Sequence, residues 1–233
     1  MRNLIIIPAF NEHECIKDTV EMIKRDAPEF DYVVINDHST DNTLDILREN
    51  NYNYINLPTN LGIGGAVQTG YRYAFENHYD TAVQVDADGQ HDPKYLSMML
   101  EVMEKENVDM VIGSRFIENK GFQSTFARRI GITYFTKLIH ILTGKLITDP
   151  TSGFRLGNKK VIEMFAKDYP RDYPEPESVV TLLKHGMNVK EVPVMMRARQ
   201  GGKSSINLSK SVYYMIKVSL AIFIENHRQR GNA

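Results

Sequence analysis

Cysteine is nearly absent from this sequence: Cys15 is the only one in 233 residues. A lone thiol excludes an internal disulfide and a cysteine-rich zinc site, and it fits a reducing compartment. No signal-peptide pattern is present, since Met1 runs straight into the strand-like Leu4-Ile5-Ile6-Ile7. Both absences lead to a cytoplasmic expectation. Long apolar runs are missing too. Val212–Ile224 is broken by Lys217 and falls well short of the ~20 residues of a membrane-spanning helix. The seven histidines show neither zinc spacing nor an H-E-x-x-H pattern. Gly62-Ile63-Gly64-Gly65-Ala66-Val67 puts valine where a dinucleotide loop needs its third glycine, and no Gly-Lys-Ser/Thr follows. That glycine cluster is expected to be a tight helix entry where backbone approaches backbone. No linker, repeat or low-complexity segment divides the chain.

Charge is unevenly spread behind a formal net charge of −1. Residues 1–114 carry 8 Lys and Arg against 20 Asp and Glu, residues 115–160 carry 9 against 2, residues 161–196 carry 4 against 6, and residues 197–233 carry 7 against 1. Two basic segments after an acidic first half point to an anionic partner. No nucleic-acid module is recognisable, which leaves the phosphates of a small ligand and of a lipid surface.

Short apolar, β-branched runs recur at Leu4–Ile7, Tyr32–Ile35, Tyr54–Leu57, Ala82–Val85 and Met110–Ile112, with helix-like stretches between them. This alternation predicts an α/β domain with a mostly parallel sheet flanked by helices. Asn11-Glu12-His13-Glu14, Ser39-Thr40-Asp41 and Asp92-Pro93 read as helix starts. Ligands of open α/β sheets bind beyond the carboxyl ends of the strands. Pro8 to Glu12, Asn36 to Asp41 and Asp86 to Gln90 all fall at such ends, so three polar clusters are expected to line one cleft.

Beyond residue 115 the pattern becomes longer and amphipathic, roughly over Phe122–Ile147 and Ile206–Asn226. In the first, Arg128, Arg129, Lys137 and Lys145 are spaced among Phe126, Ile130, Phe135, Leu138 and Leu142. Such elements either pack on their own sheet or lie in a membrane interface. The organisation expected is one domain over 1–233, with bounds at 115 and 205 and a C-terminal elaboration.

The sharpest local feature is Val83-Gln84-Val85-Asp86-Ala87-Asp88-Gly89-Gln90-His91, an apolar run ending in two carboxylates one residue apart. Converging hard oxygen ligands suit Mg²⁺ or Mn²⁺, and such an ion would hold a diphosphate. A solvated Asp-Gly turn is the structural alternative. Of the histidines, only His91 adjoins this tip.

Five motifs in order resemble the family 2 glycosyltransferases: Ile7-Pro8-Ala9-Phe10-Asn11-Glu12, Asn36-Asp37-His38-Ser39-Thr40-Asp41-Asn42-Thr43, Asp86-Ala87-Asp88-Gly89-Gln90-His91, Gly113-Ser114-Arg115 and Asp149-Pro150-Thr151-Ser152-Gly153-Phe154-Arg155. Within that family the chain is similar to polyprenyl-phosphate sugar synthases of the dolichyl-phosphate mannosyltransferase type. Tyr173-Pro174-Glu175-Pro176-Glu177 and Gln200-Gly201-Gly202-Lys203-Ser204-Ser205-Ile206 resemble its short bacterial members acting on undecaprenyl phosphate. The resemblance implies a GT-A fold, with a nucleotide-sugar half over 1–115, an acceptor half over 116–205 and a membrane-proximal helix over 206–233, and a metal-dependent, inverting glycosyltransferase peripheral on the inner face of the cell membrane, serving cell-surface polysaccharide. UDP-glucose or UDP-N-acetylglucosamine is the preferred donor. A small membrane-protein partner and a homo-oligomer are associations it leaves open.

Residue by residue, the resemblance assigns Pro8, Ala9, Glu12 and Asp37 to the nucleotide base and ribose, with Asn11 and Ala87 in the donor-binding set. Asp86, Asp88 and Gln90 serve metal and diphosphate. Arg199, Gly202, Lys203 and Ser204 form a loop that closes over the phosphates, while Arg115 and Arg128, with Arg129, meet the acceptor phosphate. Ile132-Thr133 departs from a usual Ser-Arg pair. Glu177 serves as base if the acceptor is a glycan hydroxyl, and its alternative is a solvated helix start, as for Glu175. Arg155 is expected in a buried ion pair holding the site loop. Rival readings weigh less. A haloacid-dehalogenase-type phosphatase has Thr or Val where Gln90 stands, and a nucleotidyltransferase needs a Gly-Thr-Arg loop near the first strand. A non-catalytic nucleotide-sugar-binding subunit fits poorly with intact Asp86, Asp88 and Arg115.

Overall fold

The computed structural model describes residues 1–118, 126–172, 174–197, 215–220 and 222. Among the described residues seven strands form one sheet: β1 (Asn3–Ala9), β2 (Phe30–Asn36), β3 (Tyr54–Asn56), β4 (Thr81–Gln84), β5 (Met110–Ser114), β6 (Arg155–Asn158) and β7 (Val189–Pro193), in the order β3-β2-β1-β4-β6-β5-β7. The helices are α1 (Ile16–Asp26), α2 (Thr43–Glu49), α3 (Gly62–Glu76), α4 (Leu96–Glu106), α5 (Phe126–Thr143), α6 (Lys159–Lys167) and α7 (Pro174–Lys184). Pairing is parallel except at β6, which runs antiparallel to both β4 and β5. The mostly parallel α/β expectation is met.

Each residue of β1 is buried, and period-2 alternation sends its side chains to two separate cores. Leu4 and Ile6 pack with α3, α5, α6 and α7, while Ile5, Ile7 and Ala9 pack with α1, α2 and α4. Helices on both faces explain why β1 reads as an unbroken apolar run. Burying each of these large aliphatic side chains contributes about 1.5–3 kcal/mol.

The glycine cluster at α3 behaves as its sequence predicts. Gly62 has φ +75°, and a Cβ on Gly64 would stand 2.2 Å from the carbonyl oxygens of Pro170 and Arg171. The Gly64 amide donates to the Arg171 carbonyl at 3.1 Å.

Two helix starts shift. The segment from Asn11 to Glu14 is a turn, with Asn11 left-handed at φ 56°, and α1 begins only at Ile16. Asp41 stands before α2, where its Oδ1 accepts the Thr43 amide at 2.9 Å. Asp92 does cap a short 3₁₀ turn, Pro93–Tyr95, by accepting the Lys94 amide. Over the second amphipathic stretch, residues 215–220 and 222 are helical. Among the described residues no helix is long and apolar enough to cross a membrane.

Candidate active site

Strand β1 lies between β2 and β4, so the clusters following these three strands stand side by side at one sheet edge. The first two are laced together. Asp37 donates its amide to the Ala9 carbonyl at 2.8 Å. Asn11 donates its amide to Ser39 Oγ and accepts the Thr40 amide at Oδ1, and the Glu12 amide donates to Thr43 Oγ1. Asp37 is buried, and its Oδ1 takes the Leu61 amide at 2.7 Å, tying β2 to the entrance of α3. Pro8 and Ala9, the last residues of β1, are buried beneath this network.

The acidic tip is built from below. Gln84 ends β4 and donates Nε2 to Asp86 Oδ1 at 2.9 Å. Asp86 keeps 36% of its side chain exposed, whereas Ala87 and Asp88 are buried. The Ala87 carbonyl accepts Thr19 Oγ1, fixing the tip to α1. Asp88 Oδ1 accepts the Gln90 amide at 3.1 Å, closing a turn through Gly89 at φ 73°. Gln90 and Arg197 then exchange contacts, the Arg197 amide donating to the Gln90 carbonyl at 2.9 Å.

This donor set suits a hard divalent cation. Mg²⁺ is usually held by one or two carboxylates together with substrate phosphates, and the tip offers two carboxylates, one half-exposed and one buried, plus the side-chain carbonyl oxygen of Gln90. Among the described residues no group of three His, Cys, Asp or Glu side chains is arranged to hold a metal unaided.

Arg115, directly after β5, is buried with its guanidinium on Asp149. Nε donates to Oδ2 and an Nη to Oδ1, both at 2.7 Å, and the same Nη reaches Thr151 Oγ1 at 3.1 Å. Asp149 is fully buried and is held by Glu191 of β7, which accepts the amides of Thr148 and Asp149 at 2.7 Å each. Burial pushes the Glu191 carboxyl above its ordinary range against those donors, which pull the other way. As the structure stands, Arg115 braces the 149–154 loop rather than projecting from it.

Arg155 also holds that loop, as predicted, but its partners differ from the expected ion pair. Its guanidinium donates to the carbonyls of Pro150, Ser152 and Glu175 and to Ser178 Oγ. Among the described residues this buried cation is met by three carbonyls and a hydroxyl rather than by a carboxylate. Glu177 lies half-buried in the first turn of α7, close in sequence to this hub. Arg129 is exposed on α5. The side chain of Arg128, and Arg199, Gly202, Lys203 and Ser204, lie outside the described residues.

Gln84, Asp149 and Glu191 were not assigned roles from the sequence. The polar Gln84 inside an apolar strand and the acidic Glu191 in Val189-Lys190-Glu191-Val192-Pro193 were the available signals.

The profile described as "Glycosyl transferase family 2" matches residues 4–165, a span that takes in β1 to β6 and all three polar clusters. The chain belongs to this family. Among family 2 relatives, the undecaprenyl-phosphate mannosyltransferase of Micrococcus luteus is 29% identical over 242 residues, covering 99% of this chain and 99% of that protein. The UDP-N-acetylglucosamine--dolichyl-phosphate N-acetylglucosaminyltransferase of Methanococcus voltae is 29% identical over 210 residues, covering 82% and 83%. Among solved structures, glucosyl-3-phosphoglycerate synthase from Mycobacterium tuberculosis, in complex with Mn²⁺, UDP and phosphoglyceric acid, superposes with a TM-score of 0.73 at 16% identity. It covers 97% of this chain and 78% of that one. The GT-A fold expected from the motifs is borne out.

Proposed function

We propose that this family 2 protein is an inverting glycosyltransferase that moves a hexose from a nucleoside diphosphate to a polyprenyl phosphate. The observation that carries the reading is the half-exposed Asp86 carboxylate, fixed beside buried Asp88 after the end of β4 and next to the Pro8–Glu12 and Asn36–Asp41 clusters. The acceptor class is supported by a relative named for undecaprenyl phosphate that aligns end to end. Relatives named for mannose and for N-acetylglucosamine transfer make both sugars reasonable, and glucose rests on the motif resemblance.

In this reading Pro8, Ala9, Asn11, Glu12 and Asp37 border the base and ribose, with Ala87 beneath. Asp86, Asp88 and Gln90 would hold Mg²⁺ or Mn²⁺ with the diphosphate. A bound divalent ion supplies positive charge where the leaving diphosphate gains negative charge. An acceptor phosphate oxygen attacks the anomeric carbon, the bond from that carbon to the diphosphate breaks, and the electron pair leaves on the nucleoside diphosphate. The acceptor is already ionised near neutral pH, so no protein base has to remove a proton. Arg115 sets the 149–154 loop at the side of this site. Arg128 and Arg129 would receive the acceptor, and the 199–204 segment would close over the donor.

Membrane contact is supported by α5 and the helix following residue 214. Ile130, Tyr134 and Ile141 on α5, Leu146 just beyond it, and Ile216 and Leu220 are exposed. Residues 126–147 contain no acidic side chain, while Arg129, Lys137 and Lys145 are exposed among these apolar groups. An apolar stripe flanked by cations suits an anionic bilayer surface. Ile141→Asp together with Ile216→Asp should reduce sedimentation with phosphatidylglycerol vesicles at least several-fold; undiminished sedimentation would remove this face from the account.

Glu177 decides between phosphate and hydroxyl acceptors. General bases contribute about 10²–10⁴-fold. Glu177→Gln should keep transfer to polyprenyl phosphate within about threefold of wild type, because no base is needed there. A hundredfold fall would favour a glycan hydroxyl as acceptor.

A further inference from the structure

His91 is buried, with 3% of its side chain exposed, and the proposed chemistry does not use it. Its ring closes back on the acidic tip. The Asp86 amide, a donor only, points at His91 Nδ1 at 3.0 Å, so Nδ1 accepts and the ring hydrogen sits on Nε2. Nε2 faces Asp86 Oδ2 at 3.6 Å, an electrostatic contact rather than a hydrogen bond. Asp86 is thereby gripped at its amide and attracted at its carboxylate by a ring five positions later in the chain.

The ring itself is mounted on the neighbouring loop. Phe154 stacks on it with centroids 4.9 Å apart and planes 13° from parallel. Phe154 is fixed in turn, its carbonyl accepting the Gly113 amide at 2.8 Å while Ser152 Oγ donates to the Gly113 carbonyl at 2.7 Å. Gly153 fits against the acid from the same side. A Cβ there would lie 2.8 Å from Gln84 Nε2 and 3.4–3.5 Å from the two Asp86 carboxylate oxygens. Asp86 Oδ1 is held by Gln84, Oδ2 faces His91, and the Gly153 backbone limits its swing.

We propose that His91 is a positioning residue that presets the Asp86 carboxylate for the metal and donor diphosphate. The inference rests on the reading of Asp86 as a metal-site residue given above. Preset ligands bind with less ordering cost, and outer-shell partners of metal ligands typically carry 10–100-fold in metal affinity. His91 makes the 149–154 loop part of the metal site, since Phe154 acts on Asp86 through the His91 ring while Gly153 lies directly against its carboxylate.

The test is Mn²⁺ binding in the presence of UDP, followed by the electron paramagnetic resonance signal of the free ion, alongside Tm measured without metal or nucleotide. His91→Phe keeps the ring and its stacking and removes both nitrogens; it should weaken Mn²⁺ binding about 10-fold. His91→Asn restores an acceptor for the Asp86 amide and should recover most of that loss. Wild-type affinity in His91→Phe overturns the proposal, as does a joint loss of Tm and Mn²⁺ affinity that His91→Asn does not relieve. Wild-type protein that fails to retain Mn²⁺ with UDP overturns the metal reading and this inference together.

Discussion

Asp88→Asn is expected to abolish sugar transfer while leaving the fold intact. The substitution keeps the volume of a buried side chain and retains an oxygen able to accept the Gln90 amide, the bond that closes the tip at 3.1 Å. What it removes is one of two negative charges expected to retain the divalent ion and, with it, the diphosphate. Losing a preorganised electrostatic group in an active site typically costs about 10²–10³-fold in rate. Loss of a charged metal ligand should be at the upper end or beyond. Transfer measured with purified donor, metal and lipid phosphate checks this, with Tm as the control for folding. Full activity in a folded Asp88→Asn protein would remove the acidic tip from the mechanism.

The second large effect concerns stability. Arg115 and Asp149 form a buried bidentate pair, with 5% and none of their side chains exposed. Breaking such a pair by removing one partner costs about 3–5 kcal/mol, because a charge is left buried without compensation. Asp149→Ala should therefore lower Tm by roughly 6–20 °C for a chain of this size, and should expose the 149–154 loop to proteolysis. The double variant Arg115→Met, Asp149→Leu should recover much of the stability, since both charges leave together. A cost below about 1 kcal/mol for Asp149→Ala would resemble a solvent-exposed pair instead and would contradict the bracing role of Arg115.

The sequence carried the first half of the fold well because its signals are local. Five apolar runs, each followed by polar residues, correspond to β1 through β5, and the full burial of β1 appears directly as Leu4-Ile5-Ile6-Ile7. The rest was hidden for specific reasons. Arg155-Leu156-Gly157-Asn158 contains no β-branched residue, and it is a strand only because β4 and β5 leave a place for an antiparallel neighbour. Val189–Pro193 carries Lys190 and Glu191 in its centre, which masks a strand paired with β5. Asp149 is 34 residues from Arg115 and 42 from Glu191, so the brace was invisible to local patterning. Arg155 shows the intermediate case: its burial was foreseeable, but the carbonyls that satisfy it come from loops whose paths tertiary structure sets. For the site, the expected line of polar clusters at the ends of β2, β1 and β4 follows from parallel topology alone. The grip on Asp86 by Gln84, His91 and Gly153 depends on tertiary structure, because Gly153 comes from a loop far away in sequence.

The most direct measurement is transfer of labelled sugar by the purified protein, with Mn²⁺ and a short-chain polyprenyl phosphate, from UDP-N-acetylglucosamine, UDP-glucose and GDP-mannose in separate reactions. The account predicts a chloroform-soluble labelled lipid from one of these donors, dependent on the divalent ion. Donor binding without any lipid product, accompanied by transfer to a glycan hydroxyl, would contradict it.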